Sequence, residues 1–323
     1  MKKIMITLLL LLSMTACTLP GLGGSAKSED VIVASGNTTE RQIMAEMVAQ
    51  MIKHYEPEIQ VDILTNLGSS VLIQQAMLRN DANISSVMYT GTSLTGELGL
   101  EATTDVEKAF WQVVKGYQEN FEMVWYPSYG FDNTYAFMVS KAFAREHNLK
   151  TISDLKSIAP DLKAGIDTGW LDRDGDGYEA FKELYEFDFG VVSPMEISLV
   201  YNAIQSGDMD VVLGYSTDGR IDAYDLVVLE DDLRLFPPYD ASLVISNSLL
   251  KAHPELEAVL LKLEGSITPT DMQALNRKSD EMKVEPQMVA KEFLEENNYF
   301  ENKTQIPLEL REGYDEILKE VQK

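Results

Sequence analysis

Cysteine is almost absent from this chain of 323 residues: Cys17 is the only one, so no internal disulfide can form. Histidine is nearly as scarce, and its three residues show no metal-ligand or catalytic spacing. Basic residues are outnumbered, since 27 Lys and Arg face 52 Asp and Glu and leave a formal net charge of −25. Such a surface repels phosphate groups, which argues against binding of nucleic acid or of anionic lipid headgroups.

Motifs of catalysis and of nucleotide binding are also missing. The segment Gly214–Asp218 lacks the second glycine of a nucleophile elbow, and the chain has no glycine-rich phosphate loop. We therefore predict a protein that is not an enzyme and that uses no cofactor. An exported hydrolase that acts on sugars with paired carboxylates is an alternative, because so many Asp and Glu residues could include a catalytic pair.

The first residues have the pattern of an export signal. Lys2 and Lys3 give a positive start, the apolar run Ile4–Leu12 follows, and small residues lead to Cys17. An ordinary secretory peptide and a short membrane anchor are alternatives, although the run is too short to span a bilayer comfortably. The segment resembles a bacterial lipoprotein signal, in which the cysteine is lipidated and becomes the new N-terminus. We therefore predict a signal peptide with lipobox over residues 1–17, lipidation at Cys17, and attachment to the extracytoplasmic face of the cell membrane.

The mature chain alternates strand and helix patterns and repeats that alternation once. The first run opens with the strand Val31–Ser35 and a helix from Thr39 to about Tyr55, in which Thr39 and Gln42 form a capping box. A second run starts near Tyr135. These patterns predict an α/β fold with two lobes, each a mixed or parallel sheet with flanking helices. Ligands of such sheets bind at the carboxyl ends of the strands.

The second α/β unit is predicted to be inserted into the first, with crossings near Tyr126 and near Glu230. The predicted bounds are a flexible tether over 18–29, which is rich in glycine and serine, lobe 1 over 30–126 and 231–323, and lobe 2 over 127–230. Two lobes joined by two crossings describe a clam-shell with a central cleft. We expect the protein to be a monomer.

Four of the 14 tyrosines follow or interrupt apolar, strand-like runs, where a side chain can project from a sheet edge into a cleft. They are Tyr89, Tyr135, Tyr215 and Tyr239. Tyrosine rings that are grouped together can hold a quaternary ammonium, which has no N–H to donate, by their negatively polarised faces. From the spacing alone, ordinary half-buried tyrosines are the stronger interpretation. What favours the first interpretation is the set of motifs in which the four residues lie.

Five local motifs occur in order: GNTTERQIM, MYTGT, DNTYAF, GYSTDGRI and PPYDAS. In these motifs, and over essentially the whole mature chain, the sequence resembles the substrate-binding lipoproteins of osmoprotectant ABC importers, in particular the branch that binds choline, glycine betaine and carnitine. The resemblance implies a type II periplasmic-binding-protein fold, whose two lobes close on the ligand. It also implies an aromatic cage formed by Tyr89, Tyr135, Tyr215 and Tyr239, with an ABC permease and its ATPase subunit as partners.

A ligand carboxylate needs hydrogen-bond donors, and the chain offers three candidates. Asn37 lies in the turn before the first helix, where free N–H groups favour an anion, while Thr92 and Asn133 lie close to Tyr89 and Tyr135. In the family that the chain resembles, the Thr92 position can be an aspartate linked to a narrow choline preference, so a neutral threonine suits zwitterions as well as choline. Local hydrogen bonding is the alternative role for Thr92 and Asn133. Another small cationic or zwitterionic solute, such as an amino acid or a polyamine, is the alternative ligand.

Two further motifs are predicted to be structural. The acidic run from Asp172 to Glu183 fits the calcium-loop pattern, but a strand-like segment precedes it where an EF-hand has a helix. We therefore predict no metal site and favour an acidic turn that leads into a helix, with structural calcium as the alternative. In GYSTDGRI we predict that Arg220 pairs with Asp218 or another acid and holds the loop of Tyr215, without touching a ligand.

Overall fold

The computed structural model describes residues 30–171, 173 and 176–319. The predicted signal peptide with Cys17 and the predicted tether lie outside the described residues. So do Asp172, Asp174 and Gly175 of the candidate calcium loop. Within the described ranges, no helix is both long enough and apolar enough to cross a membrane.

The described chain forms two five-stranded sheets with flanking helices. The strands are β1 (Val31–Gly36), β2 (Val61–Leu67), β3 (Ile84–Tyr89), β4 (Met123–Asp132), β5 (Tyr135–Ser140), β6 (Lys163–Asp167), β7 (Val191–Met195), β8 (Val211–Tyr215), β9 (Leu226–Val228) and β10 (Asp240–Ser246). The longer helices are α1 (Thr39–Tyr55), α2 (Ser70–Leu78), α3 (Val106–Phe121), α4 (Lys141–His147), α5 (Tyr178–Tyr185), α6 (Ile197–Gln205), α7 (Gly219–Ala223), α8 (Asn247–Ala252), α9 (Glu255–Leu261), α10 (Pro269–Asp280), α11 (Pro286–Glu296) and α12 (Tyr314–Lys319). Short helical turns lie at Thr90–Thr92, Ser93–Glu97, Ser153–Leu155, Ala159–Asp161, Thr168–Leu171, Asn298–Phe300 and Leu308–Leu310.

The first sheet has the strand order β2-β1-β3-β10-β4. Strand β1 pairs in parallel with β2 and β3, whereas β10 is antiparallel to β3 and β4. Helices α1 and α2 pack on β1 and β3, so these strands are almost wholly buried and are built from apolar and small residues. The carboxyl ends of β1 and β3 therefore lie at one edge of the sheet, next to the start of α1.

The second sheet has the strand order β7-β6-β8-β5-β9. Strand β6 pairs in parallel with β7 and β8, and β5 is antiparallel to β8 and β9. The chain changes sheets at residues 133–134, since β4 belongs to the first sheet as far as Asp132, beyond the predicted crossing near Tyr126. It returns between β9 and β10, a segment that includes the predicted crossing at Glu230. The domain boundaries themselves stay a prediction.

Each sheet has a hydrophobic core of its own. Buried residues of the first sheet and its helices form one cluster, which includes Met44 and Trp125. The second sheet packs on a cluster rich in aromatic rings, among them Phe137, Trp170 and Phe181. Separate cores are what two independent lobes require. The predicted α/β class, with two lobes that are each a mixed sheet with flanking helices, is confirmed.

The described part of the candidate calcium loop forms an ion pair. Arg173 donates from Nε and Nη2 to the two carboxylate oxygens of Asp176, at 2.9 and 2.8 Å. The Asp176 side chain is buried, so this pair with two parallel hydrogen bonds neutralises a charge that is largely removed from water. In the portion of the chain that the structure describes, no group of three or more His, Cys, Asp or Glu side chains is arranged to hold a metal ion.

Candidate ligand-binding site

The four predicted tyrosines line a single cavity of about 440 Å³, to which both lobes contribute walls. We refer to Tyr89, Tyr135, Tyr215 and Tyr239 as the tyrosine cluster. In lobe 1, Tyr89 ends β3 and Tyr239 directly precedes β10. The antiparallel register places Ala241 of β10 opposite Tyr89, so the two tyrosines come from adjacent chain segments at one edge of the sheet.

In lobe 2, the other two tyrosines stand side by side. Tyr135 begins β5 and Tyr215 ends β8, and the antiparallel register pairs these two residues directly. Paired residues of an antiparallel ladder point to the same face, and the two ring centroids are 5.1 Å apart. Tyr215 is the more open ring, with 40% of its surface exposed, whereas Tyr135 is buried.

Hydrogen bonds hold the rings in place. The Tyr135 hydroxyl donates to Asp167 Oδ2 at 2.9 Å, and the Tyr89 hydroxyl donates to Glu40. Burial, together with the neighbouring Tyr215, raises the pKa of Tyr135 well above its ordinary value, and burial together with Glu40 does the same to the pKa of Tyr89. Both phenols are therefore neutral at physiological pH. A neutral phenol in a fixed position presents a ring face that can attract a cation.

Glu40 was not predicted as a site residue, yet its carboxylate links several parts of the cavity wall. It lies in the first turn of α1 and is 4% exposed. Besides the hydrogen bond from the Tyr89 hydroxyl, it accepts hydrogen bonds from Nδ2 of Asn133 at 3.0 Å and from Nδ2 of Asn276 at 3.4 Å. A buried carboxylate needs such donors, and these come from β3, from the crossing into lobe 2 and from α10. Glu40 therefore positions Tyr89 and Asn133 relative to each other.

Two arginines that the sequence did not single out also line the cavity. The guanidinium carbon of Arg41 lies 5.2 Å from the centroid of the Tyr89 ring, and that of Arg173 lies 5.5 Å from the centroid of the Tyr135 ring. Arg173 also donates to the Tyr239 hydroxyl at 3.3 Å, so that one side chain of lobe 2 reaches a ring of lobe 1. The cavity thus combines aromatic faces with both signs of charge.

The three predicted polar residues occupy different positions. Thr92 lies in the helical turn after β3 and lines the cavity. Asn133 lines it as well, while its amide donates to Glu40. Asn37 is exposed and is not among the residues that line the cavity, where its neighbours Thr38 and Thr39 are. Ligand contact by any of the three stays a prediction.

The loop that follows Tyr215 is held from both sides. Arg220 donates to both oxygens of Asp218, at 2.9 and 2.7 Å, as predicted. Its guanidinium lies 4.1 Å from the centroid of the Tyr201 ring, and the Tyr201 hydroxyl exchanges hydrogen bonds with the backbone of Tyr215, at 2.8 and 3.1 Å. Arg220 therefore stabilises Tyr215 through Tyr201 and does not itself line the cavity.

The two lobes also contact each other beside the cavity, where α7 packs on α10. Gln273 donates to the carbonyl oxygen of Ser216 at 2.8 Å, and Asn276 donates to that of Thr217 at 2.8 Å. Arg277 pairs with Asp222 at 2.6 Å. These bonds join the loop of Tyr215 to lobe 1 and set how far apart the tyrosines of the two lobes lie.

A larger recess, of about 1100 Å³, lies elsewhere on lobe 1 between α3 and the C-terminal segment. No member of the tyrosine cluster lines it, and its walls carry many carboxylates. Its lining acids are Glu107, Glu119, Glu122, Glu312 and Glu316. Trp111 is the aromatic residue that lines it, so the recess offers no cluster of ring faces to a quaternary ammonium. We therefore take the smaller cavity as the candidate site.

The sequence is similar to characterised binding proteins over most of its length. Residues 29–296 match the family described as the substrate binding domain of ABC-type glycine betaine transport system. The carnitine transport binding protein OpuCC of Listeria monocytogenes is 46% identical over 309 residues, which cover 94% of this chain and 100% of that protein.

Two further similarities bear on the fold and on the ligand. A crystal structure of a glycine betaine/carnitine/choline ABC transporter superimposes with a TM-score of 0.82 at 47% identity, and covers 84% of this chain and 100% of that one. The ergothioneine transport permease/ergothioneine binding protein EgtU of Helicobacter pylori is 30% identical over 271 residues, which are 83% of this chain but 48% of that longer protein.

Proposed function

Because this chain belongs to the family of substrate-binding domains of ABC-type glycine betaine transport systems, we propose that its cavity holds a quaternary-ammonium solute. The protein is the substrate-binding component of an osmoprotectant ABC importer. It works outside the cytoplasm and delivers its ligand to a permease that is driven by an ATPase subunit. Glycine betaine, carnitine and choline are the substrates that we assign to it, and no chemical step at the cavity is part of this role.

The observation that carries the proposal is the convergence of four tyrosine rings, from both lobes, on one cavity. A trimethylammonium group has no N–H, so it can be recognised only by ring faces, by carboxylates and by apolar contact. Each ring face contributes about 0.5–2 kcal/mol, with the larger values in a desolvated site. Four such contacts amount to as much as about 8 kcal/mol, which corresponds to micromolar affinity.

A ligand between the lobes also explains why the rings are divided between them. Tyr89 and Tyr239 belong to lobe 1, whereas Tyr135 and Tyr215 belong to lobe 2. A cation that touches all four is bound best when the lobes are close together. The ligand then favours the closed arrangement by the difference in its affinity for the two arrangements, which gives the permease a way to distinguish loaded from empty protein.

We further propose that Cys17 is lipidated and that residues 18–29 tether the body to the membrane. The supporting evidence is the order of charged, apolar and small residues before the sole cysteine. A matched pair of full-length chains, wild type and Cys17→Ser, expressed in a bacterium that lipidates exported proteins, tests the idea. The cells are grown with a labelled fatty acid. We expect the wild-type protein to be found in the membrane fraction and to carry the label, and the variant to carry none. Equal labelling of both would contradict the assignment.

The binding proposal is tested by calorimetric titration with glycine betaine, carnitine and choline. We expect micromolar dissociation constants for at least one of them. The matched control ligand is the neutral carbon analogue of choline, in which a tert-butyl group replaces trimethylammonium, and it should bind at least about tenfold more weakly because it lacks the charge. If all three solutes bind only in the millimolar range, the proposed function is wrong.

Ergothioneine belongs in the same titration, because a relative is an ergothioneine transport and binding protein. It carries a trimethylammonium and a carboxylate like the other zwitterions, with a bulkier body. The cavity volume of about 440 Å³ lies within the range usual for small-molecule sites, so size does not exclude it. Binding of ergothioneine that is tighter than that of the three osmoprotectants would keep the cage but change the substrate.

A further inference from the structure

Arg41 lies at the cavity because Gly36 leaves room for its side chain. The arginine is in the first turn of α1, and its stem lies across the end of β1. A Cβ atom at Gly36 would be 2.3 Å from Cδ of Arg41, so any larger residue would push the arginine away. With glycine there, the guanidinium reaches the cavity wall beside the Tyr89 ring.

The guanidinium of Arg41 has no anionic partner in the described part of the chain. Its Nη1 atom is buried and has no hydrogen-bond acceptor among those residues. Glu40, the adjacent carboxylate in sequence, directs its oxygens to Tyr89, Asn133 and Asn276 instead. The guanidinium therefore brings to the cavity wall a positive charge that no described carboxylate balances, and an anionic group of a ligand would balance it.

We infer that Arg41 receives the carboxylate of a zwitterionic ligand and thereby sets the preference for zwitterions over choline. This assignment rests on the proposed function. With the ammonium among the tyrosine rings, the carboxylate of glycine betaine or carnitine can meet the guanidinium, whose planar fork matches it. Choline brings only a hydroxyl to that place, and its positive charge is repelled by Arg41.

The test compares Arg41→Gln and Arg41→Lys with wild type, by calorimetry with glycine betaine, carnitine and choline. Arg41→Gln should weaken the binding of the two zwitterions by at least about tenfold, because they lose an ionic contact. Choline, which makes no such contact, should bind as tightly as to wild type or more tightly. The affinity of Arg41→Lys for the zwitterions should lie between those of wild type and Arg41→Gln, since lysine keeps the charge but cannot form two parallel hydrogen bonds. The matched control is Arg79→Gln, in which an exposed arginine of the same lobe is changed, and it should bind all three ligands like wild type.

A ligand-side measurement keeps the test independent of how well the variants fold. The methyl ester of glycine betaine keeps the trimethylammonium and removes the carboxylate charge. For wild type the ester should bind at least about tenfold more weakly than betaine, and in Arg41→Gln the two should bind alike, because the partners of one contact are coupled.

The outcomes separate this inference from the proposed function. If Arg41→Gln weakens the binding of choline and of betaine by the same factor, or changes neither, Arg41 does not bind the carboxylate and the inference is overturned. Wild-type protein that binds choline but not the zwitterions also overturns it, while the proposed function stands. If wild-type protein binds none of the solutes, the function and the inference fall together.

Discussion

Tyr215 is the ring of the tyrosine cluster that can be altered with the least effect on folding, since 40% of its surface is exposed. We expect Tyr215→Ala to weaken binding of choline and betaine by about tenfold or more, because one ring face near the cation is lost. Tyr215→Phe keeps the ring and should remain within about threefold of wild type. Calorimetry on both variants is the measurement. Wild-type affinity in Tyr215→Ala would remove this ring from the cage.

Two carboxylates face each other where the lobes join. Asp240 begins β10 and is paired with Asp132, the last residue of β4. Like charges directly opposite on neighbouring strands repel each other. Burial and then the charge of Asp132 raise the pKa of Asp240 from 3.8 to about 6, and burial raises that of Asp132 as well. A proton on Asp240 therefore stabilises the folded protein.

The sign of the pH dependence follows. Since the folded chain holds this proton more tightly than the unfolded chain does, the stability contributed by Asp240 is present below its unfolded pKa of 3.8 and is lost as the pH rises through about 6. Asp240→Asn should be more stable than wild type by about 1–2 kcal/mol at neutral pH, and the difference should approach zero as the pH falls below 3.8. Thermal melts across pH measure this, with the exposed Asp62→Asn as the control. A stability gain that does not change with pH would refute the explanation.

At the scale of elements, the start of α1 does more than begin a helix. Thr38 is its N-cap and makes no side-chain capping bond, while the Thr39 hydroxyl donates to Asp280 of α10. The predicted capping box between Thr39 and Gln42 is therefore wrong. The first turn instead places Glu40 and Arg41 at the cavity, with Glu40 bonded to three segments that are distant in sequence.

We expect Glu40→Gln to weaken binding of every ligand of the panel by about tenfold. Tyr89 and Asn133 donate to Oε1 of Glu40 and Asn276 donates to Oε2. In glutamine an N–H donor replaces one of these oxygens, so in either orientation of the amide at least one of the three donors loses its partner, at a cost of about 1–3 kcal/mol. The loss should be shared by choline and betaine, in contrast to the split expected for Arg41→Gln. Calorimetry and thermal melts on Glu40→Gln and on the matched Glu46→Gln, farther along α1, decide the matter. Unchanged affinity in Glu40→Gln would show that ligand binding does not depend on the full set of hydrogen bonds that the carboxylate accepts.

The contrast between the tyrosines and Glu40 shows what could be predicted from sequence. The tyrosines lie at strand ends, and a strand end is a local signal: the second run of alternation is predicted to start near Tyr135, and β5 begins at that residue. Glu40 has partners 49, 93 and 236 residues away, and the neighbouring positions give no sign of them. From its local sequence alone, an acidic residue in the first turn of a helix is expected only to complement the helix dipole.

The sequence patterns described above do not predict helix α3 or strand β4, for a related reason. Val106–Phe121 carries buried Val113 and Tyr117 on one face, but it lies between the motifs MYTGT and DNTYAF and belongs to neither. Strand β4 contains Pro127, and a proline argues against a sheet strand unless it lies at an edge. It is indeed the edge strand of the first sheet, next to β10. The strand order that makes this acceptable is a property of the whole lobe and not of the segment.

At the scale of the whole molecule, the distance between the two pairs of tyrosines is set where α7 meets α10. Gly219 begins α7 and lies directly against the backbone of α10: an added Cβ would be 2.5 Å from the Arg277 nitrogen and 2.7 Å from its Cα. Backbone atoms cannot move aside as the end of a flexible side chain can. A methyl group at Gly219 must therefore separate α7 from α10, and with them the two lobes.

We expect Gly219→Ala to weaken the binding of glycine betaine, carnitine and choline by a common factor of about five to ten. The reason is that the arrangement of the lobes in which all four rings touch the cation becomes less favourable. The control is Gly96→Ala in lobe 1, where an added Cβ meets nothing within 4 Å. Calorimetry gives the affinities, and small-angle scattering should show that ligand compacts the Gly219→Ala protein less than wild type. If affinity is lost for one ligand alone, Gly219 acts through contact with that ligand instead. If affinity is lost for none, the contact between α7 and α10 does not govern how the lobes close. The common factor is the informative result, because a change in closure acts on every ligand that bridges the lobes, whereas a change such as Arg41→Gln acts only on ligands that carry a carboxylate.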